Sequence, residues 1–304
     1  MTRLHYIQPL IVAIVLLSGS SLLGAEYTFD YQKIVEVNEP VVLELYALKG
    51  NVTITGGSDN KVIIDAVKIV RATSRDEAEE VADHIEIKVR GDRDRVSVET
   101  HFLKMVNRGR SFWSKLLGTS GSNSYGAVDF VITVPTRTSV SVMCVDGEVQ
   151  ISSVEGEVVV ENPVGSTTGE YIFGPVTVVQ PIGEINLHWI EGDIKVKSTS
   201  SKISIIQVRG AVDLNTSAGT VNVQTELDSP KDFFVETSSG SITLSVPVSS
   251  SGLLDIETES GEIRTEVPVE IKSVSRKRLV AQFGDGGPKV SLISGTGNVD
   301  VTLY

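Results

Sequence analysis

Cysteine is all but missing from this chain: Cys144 is the only one in 304 residues. No internal disulfide can form, so the fold has to be held by packing and backbone pairing alone. Aromatic residues are scarce as well, at 6%, which leaves the core to many smaller aliphatic side chains. Positive charge is in deficit. The formal net charge is −12, and −13 without Arg3, the one charge of the first 25 residues. Such a surface repels nucleic acid and anionic lipid as general partners. The four histidines, His5, His84, His101 and His188, include no pair at metal-ligand spacing. Beyond residue 25 no apolar run is long enough to span a bilayer.

The first 25 residues have the layout of a secretory signal peptide. Arg3 precedes the apolar run "LIVAIVLL" (10–17), and small residues lead to Ala25 before Glu26. Export to the periplasm, the cell surface or the medium is the expectation. The alternative is an uncleaved anchor, because Ile7 to Ala25 approaches a membrane-spanning length; Pro9 and the serines weaken it.

What the sequence has in abundance is glycine at a fixed interval. Counting in nines from Gly147, eight of the nine positions to Gly219 are glycine, with Ser201 the exception. The unit is better written as eighteen residues, since alternate glycines have different neighbours. Stacked in eighteens, Val149, Thr167, Ile185, Ile203 and Val221 form one column, and Ile151, Gly169, Leu187, Ile205 and Val223 another. Polar Gln150, Thr168, Asn186, Ser204 and Asn222 fall between them. The other half of the unit gives Val158, Val176, Ile194 and Val212, then Val160, Val178, Val196 and Leu214. Alternation with period two marks strands with one face inward. Short strands repeated with identical facing predict a coil that climbs one rung, ~4.8 Å, per eighteen residues. Glycine turns its corners. Longer rungs of twenty-one residues reach Gly240 and Gly261, and Gly297 leads the last strand. Three places before each glycine stand Cys144, Asn162, Gln180, Ser198, Thr216, Thr237, Thr258 and Ser294, which predict an internal polar ladder with Cys144 as its end member.

Residues 26–126 depart from the repeat. "VVLELYALKGNVTITGG", "KVIIDAVKIV", "HIEIKVR" and "RVSVETHF" read as strands. "SRDEAEEVADHIEI" reads as a short helix capped by Ser74, with Ala78, Val81 and Ile85 on one face. The expected fold is all-β: a single-chain β-solenoid over 127–304 with 18–21 residues per rung, and an N-terminal β-rich cap with one helix over 26–126. An antiparallel β-sandwich is the alternative.

The segment "VDFVITVPTRTSVSVMCVDGEVQI" (128–151), the recurring "TSAG", "TSSG" and "TESG", and the closing "SGTGNVDVTL" resemble the bacterial putative-adhesin domain family of unknown function. The resemblance covers about residues 30 to 304. It implies an exported or envelope-associated β-solenoid and carries over no catalytic residue or cofactor. The loop at 103–126 and Ser201 depart from the family pattern.

Enzyme signatures are thin. "GDGG" (284–287) reads as a turn, since no Lys-Ser/Thr and helix follow it. Residues after the corner glycines run Glu148, Ser166, Glu184, Lys202, Thr220 and Glu157, Pro175, Asp193, Ala211, so carboxylates never stack on adjacent rungs. That pattern suits solvated turns better than catalysis or calcium binding. A non-enzymatic, adhesin-like envelope protein is the expectation, with a self-associating scaffold as the alternative and a polysaccharide-cleaving enzyme behind both. Two patches are candidate contacts. Tyr171 and Trp189 lie one rung apart beside Glu170 and His188, suited to stacking on a sugar ring or, equally, on each other. The second patch is basic and apolar: Lys104, Arg108, Arg110, Phe112, Trp113, Lys115 and Leu116. It suits a membrane surface or protein partner, or a hairpin folded back on the cap. The C-terminal strand "NVDVTLY" has no evident cap, so self-association through an open last rung is expected there.

Overall fold

The computed structural model describes residues 25–103, 126–227 and 230–304. Nearly every element is a strand, and the alternating buried and exposed pattern along them matches the period-two reading, as in Val212–Ala218 and Ile242–Val246. The chain is the expected β-solenoid. In its regular middle each rung has two long sides and one short one. The first side contains 158–161, 176–180, 194–198 and 212–216, paired parallel and in register so that Val158, Val176, Ile194 and Val212 stack. The second side stacks Val149, Thr167, Ile185, Ile203 and Val221. These are the predicted columns, and all nine side chains are buried. Parallel stacking of like on like sets aside the antiparallel sandwich, because an eighteen-residue period presents the same face at every turn. Gly169 breaks one apolar column, and its missing side chain is filled in by Leu187 and Ile172 from either side.

The corners explain the glycines. A Cβ on Gly183 would sit 1.7 Å from the carbonyl oxygen of Gly165, and one on Gly165 would sit 1.9 Å from that of Gly147. Each corner backbone therefore lies directly against the carbonyl of the rung below. The predicted ladder completes this contact. Asn162 Nδ2 donates to Gly147 O at 3.1 Å, and Gln180 Nε2 donates to Gly165 O at 3.2 Å. Farther along, Ser294 Oγ donates to Gly240 O at 2.9 Å and Thr258 Oγ1 to Gly297 O at 3.0 Å. A buried carbonyl without a donor would be costly, and at these four corners the side chain three places before supplies one; Thr216 donates instead to Ala218 O, and Thr237 Oγ1 is buried without a partner. The ladder is cross-linked where Thr167 Oγ1 donates to Gln180 Oε1 at 2.6 Å. At the glycine-free corner Ser198 and Ser201 bond each other at 2.6 Å, and Ser201 Oγ reaches Gln180 O at 3.4 Å.

The two ends differ from expectation. Val41–Ala47 pairs with both Arg95–Phe102 and Thr138–Cys144, while Val52–Ser58 lies between Gly126–Pro135 and Asp146–Ser152. Residues 41–58 are thus a rung of the coil, with Gly50 in the glycine column beneath Gly147, rather than part of a separate cap. Cys144 accordingly has Ala47 as its neighbour in the column and is not the end member. The C-terminus mirrors this. Lys289–Thr296 is inserted between Phe233–Ser239 and Gly252–Ser260, and Val299–Leu303 between Ile242–Val246 and Ile263–Thr265. The open last rung expected at "NVDVTLY" is not what forms: Val299–Leu303 is paired along one edge and Val299–Val301 along the other, so the strand presents no full-length free edge.

Antiparallel layers finish each end. Ala25–Glu36 pairs with Lys61–Ala72, which pairs with Gly126–Pro135, and Ile85–Gly91 covers Arg95–Phe102. The helix Arg75–Asp83 buries Ala78, Val81 and Ala82; Ser74 Oγ accepts from Glu77 N, and the Glu77 carboxylate accepts from Thr73 N. At the other end Arg278–Phe283 and Glu270–Val274 lie antiparallel beyond Gly252–Ser260. Among the described residues no helix is long and apolar enough to cross a membrane.

Two outcomes test this account. Gly183→Ala places a Cβ on backbone that cannot give way, and urea unfolding should show a loss of roughly 4 kcal/mol or more, or no cooperative transition. Gly286→Ala has positive φ but nothing within 4 Å, so it should cost only about 1–2 kcal/mol. Equal losses would remove the carbonyl contact as the cause. Separately, burial pushes the Cys144 thiol up to about 11. A disulfide reagent at pH 8 should then label it only as fast as the protein unfolds, and rapid labelling of the folded chain would contradict the ladder assignment.

Candidate functional site

The short side of the rung lies between two corners of different make. At Gly156, Gly174, Gly192 and Gly210 the chain turns on glycine. At the other corner it turns on Ser153, Tyr171 and Trp189, whose φ values are 59°, 54° and 59°. Left-handed backbone costs a bulky residue about 1–2 kcal/mol, which the flanking ladders must offset. Inward-facing Ile172 and Ile190 are completely buried next to these positions, so the rings themselves are not core. Tyr171 and Trp189 are each 51% exposed. Glu170 pairs with His188 and Ile172 with Ile190, which sets Tyr171 level with Trp189, one rung or ~4.8 Å away.

The rung above carries no counterpart to Trp189. Register shifts so that His188 pairs with Ile206 but Ile190 pairs with Gln207. Gln207 turns inward instead, donating to Gly192 O at 2.7 Å and accepting from Thr225 Oγ1 at 2.9 Å. The aromatic column thus ends at Trp189. Beside it runs a second outward column, Glu155, Phe173, Glu191 and Arg209. Phe173 is 52% exposed, and Glu191 and Arg209 form an ion pair. Three aromatic rings therefore share one strip, bordered by half-buried Glu170 and His188. The sequence reading missed Phe173, although its outward parity two places after Tyr171 and its position just before a corner glycine were signals for it.

Of the residues singled out in the sequence, Tyr171, His188 and Trp189 come together. Lys104, Arg108, Arg110, Phe112, Trp113, Lys115 and Leu116 lie outside the described residues. The other polar groups offer little chemistry. His101 Nε2 lies 2.8 Å from Glu99, whose carboxyl is held low first by that hydrogen bond, and His84 Nδ1 faces Glu80 O at 2.7 Å. Among the described residues no three potential metal ligands converge. The strip presents aromatic faces beside a carboxylate and an imidazole.

A family model described as Toastrack DUF4097 matches residues 43–302. No curated protein sequence matches the chain. Among solved structures it is similar to a putative cell adhesion protein from Clostridium sporogenes, at 14% identity over 91% of this chain and 100% of that one, with a TM-score of 0.25. A putative adhesin from Bacteroides fragilis shares 14% identity over 92% and 97% of the two chains, with a TM-score of 0.32. A putative lipid binding protein from Parabacteroides distasonis shares 14% over 89% and 96%, with a TM-score of 0.43.

Proposed function

The chain belongs to the Toastrack DUF4097 family, and from that premise we propose that it is an exported, non-enzymatic, adhesin-like β-solenoid that binds surface glycan at the cell envelope through its aromatic strip. One observation carries this reading: Tyr171 and Trp189 hold strained left-handed backbone yet leave about half of each ring in water. Strain without matching burial is a cost to folding, and such costs persist where a site needs the geometry. Flat, rigid, half-exposed rings give large contact area for little lost side-chain entropy, which suits sugar rings with one apolar face.

Trp189→Gly relieves the backbone strain and Trp189→Ala does not, so the glycine variant should be the more stable of the two by about 1 kcal/mol. Both should stay within about 2 kcal/mol of the parent in urea unfolding, while binding to an envelope-glycan array falls roughly tenfold or more. A large stability loss with undiminished glycan binding would make the aromatic column a structural stack.

A second reading, self-association, draws on a different edge from the one expected in the sequence. Glu270–Val274 is exposed along its whole length, with Ile271 and Val274 at 56% and 66%, and pairs on one side only. Such a strand is a template for another chain. Concentration-dependent growth in light scattering, abolished by Ile271→Lys, is the expected outcome under this reading; a monomer at high concentration excludes it.

A further inference from the structure

Around the glycine corner from the aromatic strip, the outer surface of the first side holds a groove. Two basins of about 490 Å³ and about 400 Å³ share Asp232 and Phe234 and lie end to end along the coil axis, from Thr177 to Arg278. Pro175, which lines the first basin, is two residues from Phe173, so groove and strip are neighbouring parts of one surface.

The lining is arranged in donor–acceptor pairs. Asp193 accepts from Lys231 and from the Ala211 N–H at 3.0 Å, and Lys195 meets Asp213 at 3.5 Å. In the second basin Arg278 grips Asp255 with two bonds of 2.9 and 3.0 Å, and Lys289 adds a third at 3.2 Å. Burial alone would raise the Asp255 carboxyl, but these cations outweigh it and hold it low. Asp232, shared by both basins, has no ion pair or side-chain hydrogen bond among the described residues, and half-buried Phe234 lies two residues on.

We propose that this groove binds an amino-sugar glycan running along the coil axis. The proposal deepens the glycan reading above and rests on it. Each ion pair offers a hydroxyl both a donor and an acceptor, and the face of Phe234 suits the apolar side of a pyranose. Outward side chains recur every ~4.8 Å along the axis, close to the advance of one sugar in an extended polysaccharide. A peptide is disfavoured because the strands beneath are paired on both edges, as Val212–Ala218 is by Ile194–Arg209 and Phe233–Ser239, which leaves no main-chain groups to receive it. The uncompensated Asp232 carboxylate on an acidic body selects a protonated sugar amine over an acidic or N-acetylated one.

Calorimetry on the full chain would test this with a glucosamine hexamer, an N-acetylglucosamine hexamer and hexalysine. The glucosamine hexamer should bind about tenfold more tightly than the acetylated one. Asp232→Asn should weaken the glucosamine hexamer about fivefold, the size of one exposed ion pair, and leave the acetylated one unchanged. Equal affinity for both sugars, indifference to Asp232→Asn, or hexalysine bound as tightly as the amine sugar would each overturn the proposal. If glycan binding is lost in Trp189→Gly but indifferent to Asp232→Asn, the aromatic reading stands and the groove proposal falls. If no glycan binds the parent chain, both fall.

Discussion

Everything in this molecule hangs on a backbone contact fewer than 4 Å across: the carbonyl of one corner glycine pressed against the α-carbon of the next. That approach lets the strands on either side keep register, and it is possible only where no Cβ intervenes. It also buries the carbonyl against the next rung. The amide and hydroxyl side chains three places upstream donate to it, from Asn162 and Gln180 to Thr258 and Ser294. Glycine column and polar ladder are thus one device. Where Ser201 replaces glycine, the neighbouring ladder residue also becomes a serine and the two hydroxyls bond each other. The core then needs few aromatics, because each valine or isoleucine is covered by its counterparts above and below.

A coil of identical rungs leaves open strand edges at both ends. Here residues 41–58 and 289–303 each sit one rung inward, and antiparallel strands, the N-terminal Ala25–Glu36 among them, are laid over the outside. Arg95–Phe102, Gly126–Pro135 and Gly252–Ser260 are thereby held on two sides, which removes edges prone to pair with other chains. The exposed strand Glu270–Val274 is the contrast: one-sided, short, and carrying Lys272.

A scaffold this regular leaves its outward side chains without a part in the core. The short side carries rings on strained backbone, and the first side carries charged pairs at the rung repeat. Both lie beside the same glycine corner, so the rigid ladder sets the spacing of both. The strain at Tyr171 and Trp189 is affordable because two ladders fix the chain on either side of them.

The repeat was legible in the residues. Periodic glycines, alternating columns, the polar ladder and the Ser74-capped helix all follow from local rules, since a side chain's facing is set by its place in a period of two or eighteen. Order among the rungs was not legible. Residues 41–58 lie outside the periodic count and read as cap, while residues 289–303 satisfy the same pattern as the other rungs, which marks them as a rung but not which ones they join. Only long-range competition for partners decides that. The same holds for the surface: Phe173 joined Tyr171 and Trp189, and Asp232 joined Asp255, Arg278 and Lys289, through stacking of segments as far apart in the chain as positions 232 and 289. By itself the sequence determined the rung and its corner; the tertiary structure alone decided how rungs are ordered, because equivalent strands differ in no local property that names a neighbour.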